Sequence, residues 1–159
     1  MVITMHIVEC NSTNCEKLVA FVEEMFSSWR DKSSMSSKNT CCCSRTKEEL
    51  ISKIRGDQSV FYYAADGDRI LGFMCTENDS EKNSMYVSYI NVLPEERGKN
   101  VFRNLLDHAS AVAAGRNNEF IRLDTWPGNE NALKAFEKTG FIVEHSCSCT
   151  VKLYKKIGN

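Results

Sequence analysis

Alternation and helical spacing divide this chain into elements without much ambiguity. Residues 2–9, VITMHIVE, alternate loosely and are rich in β-branched side chains, which predicts a strand. In the next stretch, NSTNCEKLVAFVEEMFSSWR, Leu18, Val19, Val22, Met25, Phe26 and Trp29 recur at helical spacing. Ser12 or Asn14 is placed to cap that helix, with Glu16 or Lys17 in its first turn. Residues 31–45, DKSSMSSKNTCCCSR, are Ser-rich with no period and predict a long loop. Thr46 and Glu49 form a capping box ahead of a helix, KEELISKIRG, that Gly56 closes. SVFYYAADGDRILGFMCTE holds two apolar runs around DGD, the pattern of a hairpin. SMYVSYINV predicts a long central strand after a polar turn at 78–84. KNVFRNLLDHASAVAAGRNN lines up Val101, Leu105, Ala109 and Val112 on one helical face. EFIRLDT predicts a strand, NENALKAFEKTG a helix stopped by Gly140, and FIVEHSCSCTVKLYKK an extended end.

The resulting order is β-α-α-β-β-β-α-β-α-β. Antiparallel strands come first, followed by a βαβ unit whose strands pair in parallel. This predicts an α+β fold, a mixed sheet with helices on its faces. No repeat and no composition break divides residues 1–159, so a single domain is expected.

Composition narrows the partners. At 159 residues the chain has the size of one domain and can bury a core without staples. Charged residues make up 26% and apolar ones 42%, as in an ordinary globule. With 20 basic and 21 acidic residues the net charge is −1, which gives no footprint for nucleic acid or an anionic membrane. No apolar run reaches the length of a spanning helix. MVITMHIVEC lacks a basic region and a small-residue cleavage site, so a cytosolic (cytoplasmic) protein is the expectation. Eight cysteines, at 10, 15, 41, 42, 43, 75, 147 and 149, are then expected as reduced thiols. CCC and CSC do not have zinc-ligand spacing and the three histidines are scattered, so no metal site is expected.

The chemistry concentrates at INVLPEERGKNVFRNLL. A strand, a short turn and a helix start follow in that order. Helix N-termini present orphan N–H groups and a positive dipole end, so an anion is bound there by amides. Arg97, Lys99 and Arg103 add positive charge, and Gly98 allows backbone to approach a ligand. By itself this stretch also reads as an ordinary βα turn with a basic cluster.

Val92, Pro94, Arg97, Gly98, Asn100 and Phe102, followed by Asn129, Ala132, Phe136, Glu137, Lys138, Gly140 and Phe141, change that reading. Together they resemble the two motifs of the GNAT acetyltransferase superfamily, V-x-P-x-x-R-G-x-G-x-G/A and N-x-x-A-x-x-x-Y-E-K-x-G-F. The element order matches over nearly the whole chain, and residues 86–141 carry the motifs. The resemblance implies an α/β/α-type mixed sheet of about six or seven strands, four helices and a central, bulged and splayed strand pair. It implies acetyl-CoA as the acyl donor. The pyrophosphate would lie on Gly98, Lys99, Asn100, Val101, Phe102 and Arg103, with Arg97 beside it. The pantetheine arm would run along Ile90, Asn91 and Val92, and the Val92 amide would polarise the thioester carbonyl. Asn129 and Phe136 complete the implied cofactor-binding set.

Two positions depart from the family pattern. Asn100 stands for a glycine, and asparagine tolerates left-handed backbone better than most residues. Phe102 stands for Gly or Ala, and blocks the loop if its ring points at the ligand. A third departure concerns chemistry: the family's usual general acid is a tyrosine at the place of Phe136, and phenylalanine has no proton to give. Tyr86, Tyr89 or solvent remain as sources. Asp124, five residues before Asn129, matches an offset that carries a carboxylate base in some members, and is equally a surface carboxylate.

For the acceptor, a small-molecule or peptide amine is implied. Trp29, Trp126, Tyr62 and Tyr63 are candidates for an aromatic pocket, and Trp126 is the strongest because it falls in a loop. Two rival functions stand beside acetyl transfer: a degenerate domain that binds CoA as a sensor or scaffold, and a thiol-based metal or redox binder built on Cys41–Cys43 and Cys147/Cys149. Finally, FIVEHSCSCTVKLYKK lacks residues for a two-residue turn. Either HSCS turns irregularly, or one long strand leaves an open edge and predicts a homodimer in contact over residues 141–154.

Overall fold

The structure is a computed structural model and describes residues 4–29 and 46–157, without the side chains of Ser28 and Trp29. The predicted long loop with Cys41–Cys43 lies outside the described residues. The elements are β1 (Met5–Glu9), α1 (Cys15–Trp29), α2 (Lys47–Arg55), β2 (Val60–Asp66), β3 (Arg69–Asp79), β4 (Ser84–Val92), α3 (Val101–Gly115), β5 (Phe120–Thr125), α4 (Glu130–Lys138), β6 (Ile142–Ser146) and β7 (Val151–Lys156). One short 3-10 turn, Pro94–Glu96, separates β4 from α3 and was not expected.

Seven strands form one sheet in the order β1-β2-β3-β4-β5-β7-β6. All neighbours are antiparallel except β4 and β5. That pair is the βαβ unit read from the sequence, with α3 as its crossover. Alternation along the strands sends side chains to two cores. On one face, Leu105, Ala109 and Ala113 of α3 and Phe136 of α4 pack on Met74, Met85, Val87, Ile121 and Leu153. On the other, Leu18, Val22 and Met25 of α1 and Leu50 and Ile54 of α2 cover Phe61, Tyr63 and Phe73. No residue of β5, β6 or β7 belongs to this second cluster.

The caps follow the sequence with one correction. Thr46 accepts a hydrogen bond from the Glu49 N–H at 3.1 Å, as a capping box requires. At α1 the capping role falls to Asn11 rather than to Ser12 or Asn14. Asn11 Oδ1 accepts from the N–H groups of Thr13 and Asn14 at 2.9 and 3.2 Å, and Asn14 Oδ1 accepts from the Asn11 N–H at 2.7 Å.

The C-terminal segment is not one extended strand. β6 and β7 are antiparallel, joined by a turn in which the Cys147 N–H donates to the Thr150 carbonyl at 2.9 Å. The irregular turn is therefore the arrangement adopted, two residues later than HSCS. A long unpaired strand was the physical reason for expecting a dimer across residues 141–154, and that reason falls away. The C-terminal segment instead supplies one edge of the sheet, β6, all five of whose residues are exposed.

The Asn11 cap carries a prediction. Asn11→Ala removes three acceptor contacts and should lower stability in urea unfolding by about 1 kcal/mol. Ser12→Ala should leave it unchanged. Equal losses from both variants would contradict the assignment.

Candidate active site

The site begins where β4 and β5 part. They pair at Ser84↔Phe120, Met85↔Ile121 and Tyr86↔Arg122 and nowhere beyond. From there β4 stays with β3 up to Val92↔Gly72, while β5 stays with β7 up to Thr125↔Val151. Each strand keeps its outer partner and loses its inner one. The result is a V-shaped opening between residues 87–92 and 123–125. A register shift between Cys75 and Thr76 places a bulge in β4 at Ser88. It resets the side-chain alternation, so Val87 and Ile90 both join the α3 face, while Tyr89 and Asn91 turn to α1. Tyr89 stacks on Phe73 at 5.3 Å, and Asn91 Nδ2 contacts Met25 Sδ at 3.5 Å.

Tyr86 marks the closed end of the V. It is at the last paired position on β4, yet its hydroxyl donates to Asp124 Oδ1, two residues further along β5. Two of the expected site positions thus meet, Asp124 and Tyr86, while Ile90, Asn91 and Val92 lie further along β4, past the point where it leaves β5. Asp124 also faces Lys152 in the β5–β7 register. Beside it, Arg122 grips both carboxylate oxygens of Glu144 at 2.7 and 2.8 Å and donates from Nε to Ser84 Oγ at 3.0 Å. Its guanidinium lies over the Phe120 ring at 5.2 Å. Nothing in sequence spacing signals this polar face. The residues come from four strands and converge only through register.

The loop at the open end of β4 has the expected backbone. Gly98 adopts φ +80°, and a Cβ there would meet nothing within 4 Å. Asn100 is left-handed at φ 69° and makes no side-chain cap bond. The first bond of α3 is the Asn104 N–H to the Asn100 carbonyl at 2.9 Å, so the amides of residues 101–103 precede the helix ladder. The charges are arranged differently from the expectation. Glu96 is buried, and Arg69 Nη1 at 2.5 Å and Lys99 Nζ at 3.4 Å hold it. The hydrogen bond from Arg69 keeps its carboxyl below the usual range. Lys99 is therefore committed to Glu96, and Arg103 lies 3.9 Å from Asp107. Arg97 makes no ion pair among the described residues.

The Phe102 question has a geometric answer. Its ring packs against the α3-side core, 5.2 Å from the ring of Phe136. Phe136 is 3% exposed and also meets Phe141 at 5.8 Å. Two of the three departures from the family motifs, Phe102 and Phe136, thus touch each other. Asn129 sits at the start of α4, and its Nδ2 donates to Thr125 Oγ1 at 3.0 Å rather than capping the helix.

The aromatic candidates divide. Tyr62 and Tyr63 are buried, Tyr62 against His108 and Tyr63 in the α1 core, so neither lines an opening. The Trp29 side chain lies outside the described residues. Trp126 is half-buried in the β5–α4 loop, and its ring lies against Gly128, where a Cβ would fall 1.8 Å from it. Among the described residues no helix is long and apolar enough to cross a membrane.

The acetyltransferase (GNAT) family profile matches residues 18–141. No curated protein matches the chain. Solved structures do. The PaiA N-acetyltransferase of Thermoplasma acidophilum, in complex with coenzyme A, is 20% identical over 96% of this chain and 99% of its own, with a TM-score of 0.70. A Bacillus anthracis protein assigned as a streptothricin acetyltransferase, in complex with acetyl coenzyme A, is 23% identical over 67% of each chain, with a TM-score of 0.60. A nourseothricin acetyltransferase is 21% identical, with a TM-score of 0.58, over 64% of this chain. The match spans 66% of that protein's length, just under two thirds. At these identities the likeness is one of fold.

The aromatic packing makes Phe136→Tyr informative. A hydroxyl added to the Phe136 ring enters a site where Phe102 and Phe141 pack against it. It should lower stability in urea unfolding by about 1–3 kcal/mol. An unchanged or higher stability would show that the new hydroxyl reaches a partner and that the packing is looser than described.

Proposed function

The chain belongs to the GNAT acetyltransferase family, which uses acetyl-CoA, and on that premise we propose that it acetylates a primary amine of a small molecule or peptide by direct attack. The Tyr86–Asp124 hydrogen bond at the closed end of the β4–β5 opening carries this reading.

In the proposed arrangement the CoA pyrophosphate rests on the amides of residues 98–103. The open space at Gly98, the left-handed Asn100 and the inward ring of Phe102 support this. Arg97 supplies the cation, because Lys99 neutralises Glu96. The pantetheine arm follows Ile90, Asn91 and Val92, whose edge toward β5 is unpaired. The Val92 amide polarises the thioester carbonyl.

The amine approaches from the face of Tyr86, Asp124 and Lys152. Its nitrogen lone pair forms the C–N bond while the C–S bond breaks. Asp124 accepts the proton the amine must lose, and CoA leaves as a thiolate, which is stable enough to depart before it is protonated. Tyr86 fixes the orientation of the Asp124 carboxylate by donating to one of its oxygens, leaving the other for the amine. No hydroxyl at Phe136 is required. Trp126, propped on Gly128, borders the acceptor side.

A second reading, a CoA-binding sensor without turnover, is favoured by one observation: the family's acid position is a buried phenyl ring. CoA release on a panel of primary amines separates the two. Turnover is expected, and Asp124→Asn should lower kcat/KM by about 10²- to 10⁴-fold with acetyl-CoA affinity unchanged. Tyr86→Phe should cost less, since it frees the carboxylate without removing it. Binding of acetyl-CoA with no release on any amine would support the sensor. Full activity in Asp124→Asn would remove Asp124 from the mechanism.

A further inference from the structure

Five cysteines fall among the described residues, and they differ in kind. Cys75 is buried, and burial pushes its thiol up. Burial, helped by nearby Cys15, pushes the half-buried Cys10 thiol up to about 11. Cys147 and Cys149 are both exposed, and their Sγ atoms are 3.7 Å apart. In a continuous strand, residues two apart share a face but are separated by the full pleat repeat. Here the chain bends at 148–149, and the Cys147 N–H closes the turn onto the Thr150 carbonyl. The irregular turn, adopted in place of one long strand, is what brings the two sulfurs together. A disulfide needs them at about 2.0 Å, so closing the ring draws the two sulfurs together from 3.7 Å.

We propose that Cys147 and Cys149 form a reversible redox site, a dithiol that small-molecule disulfides of the glutathione type convert to an intramolecular disulfide. The step balances. One protein thiolate attacks a sulfur of the small disulfide, forms a mixed disulfide and expels one small thiolate. The second protein thiolate attacks the protein sulfur of that mixed disulfide, closes the ring and expels the other. The protein pair is oxidised, the small disulfide is reduced to two thiols, and the two protein protons end on the departing thiolates. Exposure of both residues provides the access that exchange needs.

The location gives the site a consequence. Ser146 pairs with Val151, and Val151 with Thr125, so the turn stands directly beyond the Asp124–Thr125 end of β5. Ring closure stiffens the loop bordering that end. The proposal concerns the thiols alone and does not depend on what Asp124 does.

The sequence makes the test specific. Cleavage after Lys138 and Lys152 releases residues 139–152, which contain these two cysteines and no other. The folded, reduced protein is treated with oxidised glutathione, blocked with iodoacetamide, digested and weighed. The peptide should be about 2 mass units lighter than its reduced form, carry no block, and return to the dithiol with dithiothreitol. Cys149→Ser should instead hold one glutathione on Cys147, the trapped first step. Two alkylated thiols, two glutathione adducts, or a link to another cysteine-bearing peptide would overturn the proposal. So would a Cys149→Ser protein that takes up no glutathione.

Discussion

The fold turns on the shortness of one ladder. β4 and β5 are joined by three residue pairs and then separate, while each remains fully paired on its outer side. Backbone N–H and C=O groups away from water need partners. A sheet opened in its middle therefore exposes two inner strand edges that a ligand with amides of its own can satisfy. The crossover α3 spans the opening, so its N-terminal amides lie at the end of the V reached by β4. The bulge at Ser88 keeps Val87, Ile90 and Val92 in one core despite the change of register, which lets β4 bend away without losing its packing. Tyr86 and Asp124 meet because the strands are still together at Tyr86 and only beginning to part at Asp124.

The loop before α3 is built as a balanced charge cluster. A buried carboxylate at Glu96 costs desolvation unless paired, and Arg69 from β3 and Lys99 from the loop provide that pairing. This pins the 3-10 turn to the sheet and sets the path into Gly98 and Asn100. On the far side of α3, Phe102 and Phe136 fill one space. Phe136 is buried against both Phe102 and Phe141. With a phenyl ring at 102, the position is apolar and closed. The two rings form one packing unit, and Tyr86 and Asp124 lie on the opposite face of the sheet.

Most of the architecture was legible in the chain. β4 was read as 84–92 and is so, because apolar spacing and a polar turn bound it on both sides. The α1 stripe of Leu18, Val19, Val22 and Met25 is buried as its period requires. The sequence misled where register or a single turn decides. FIVEHSCSCTVKLYKK carries none of the residues that force φ > 0, so the turn at 147–150 had no local signal, and the pairing of β6 with β7 is what reveals it. Within the site, Asp124, Asn100 and Phe102 were visible as types and offsets. The partner of Asp124 was not, because Tyr86 lies 38 residues away and reaches it by a diagonal across two strands. The Arg122–Glu144 pair was invisible for the same reason.

The central claim is that the parting of β4 and β5, with the start of α3, receives acetyl-CoA. Amide chemical shifts of the ¹⁵N-labelled protein during titration with acetyl-CoA test it most directly. The account predicts saturable shifts at Ile90, Asn91, Val92 and residues 98–103, with the β6 amides of Ile142–Ser146 unmoved. Saturable shifts confined to other elements, with residues 90–92 and 98–103 unchanged, would contradict it.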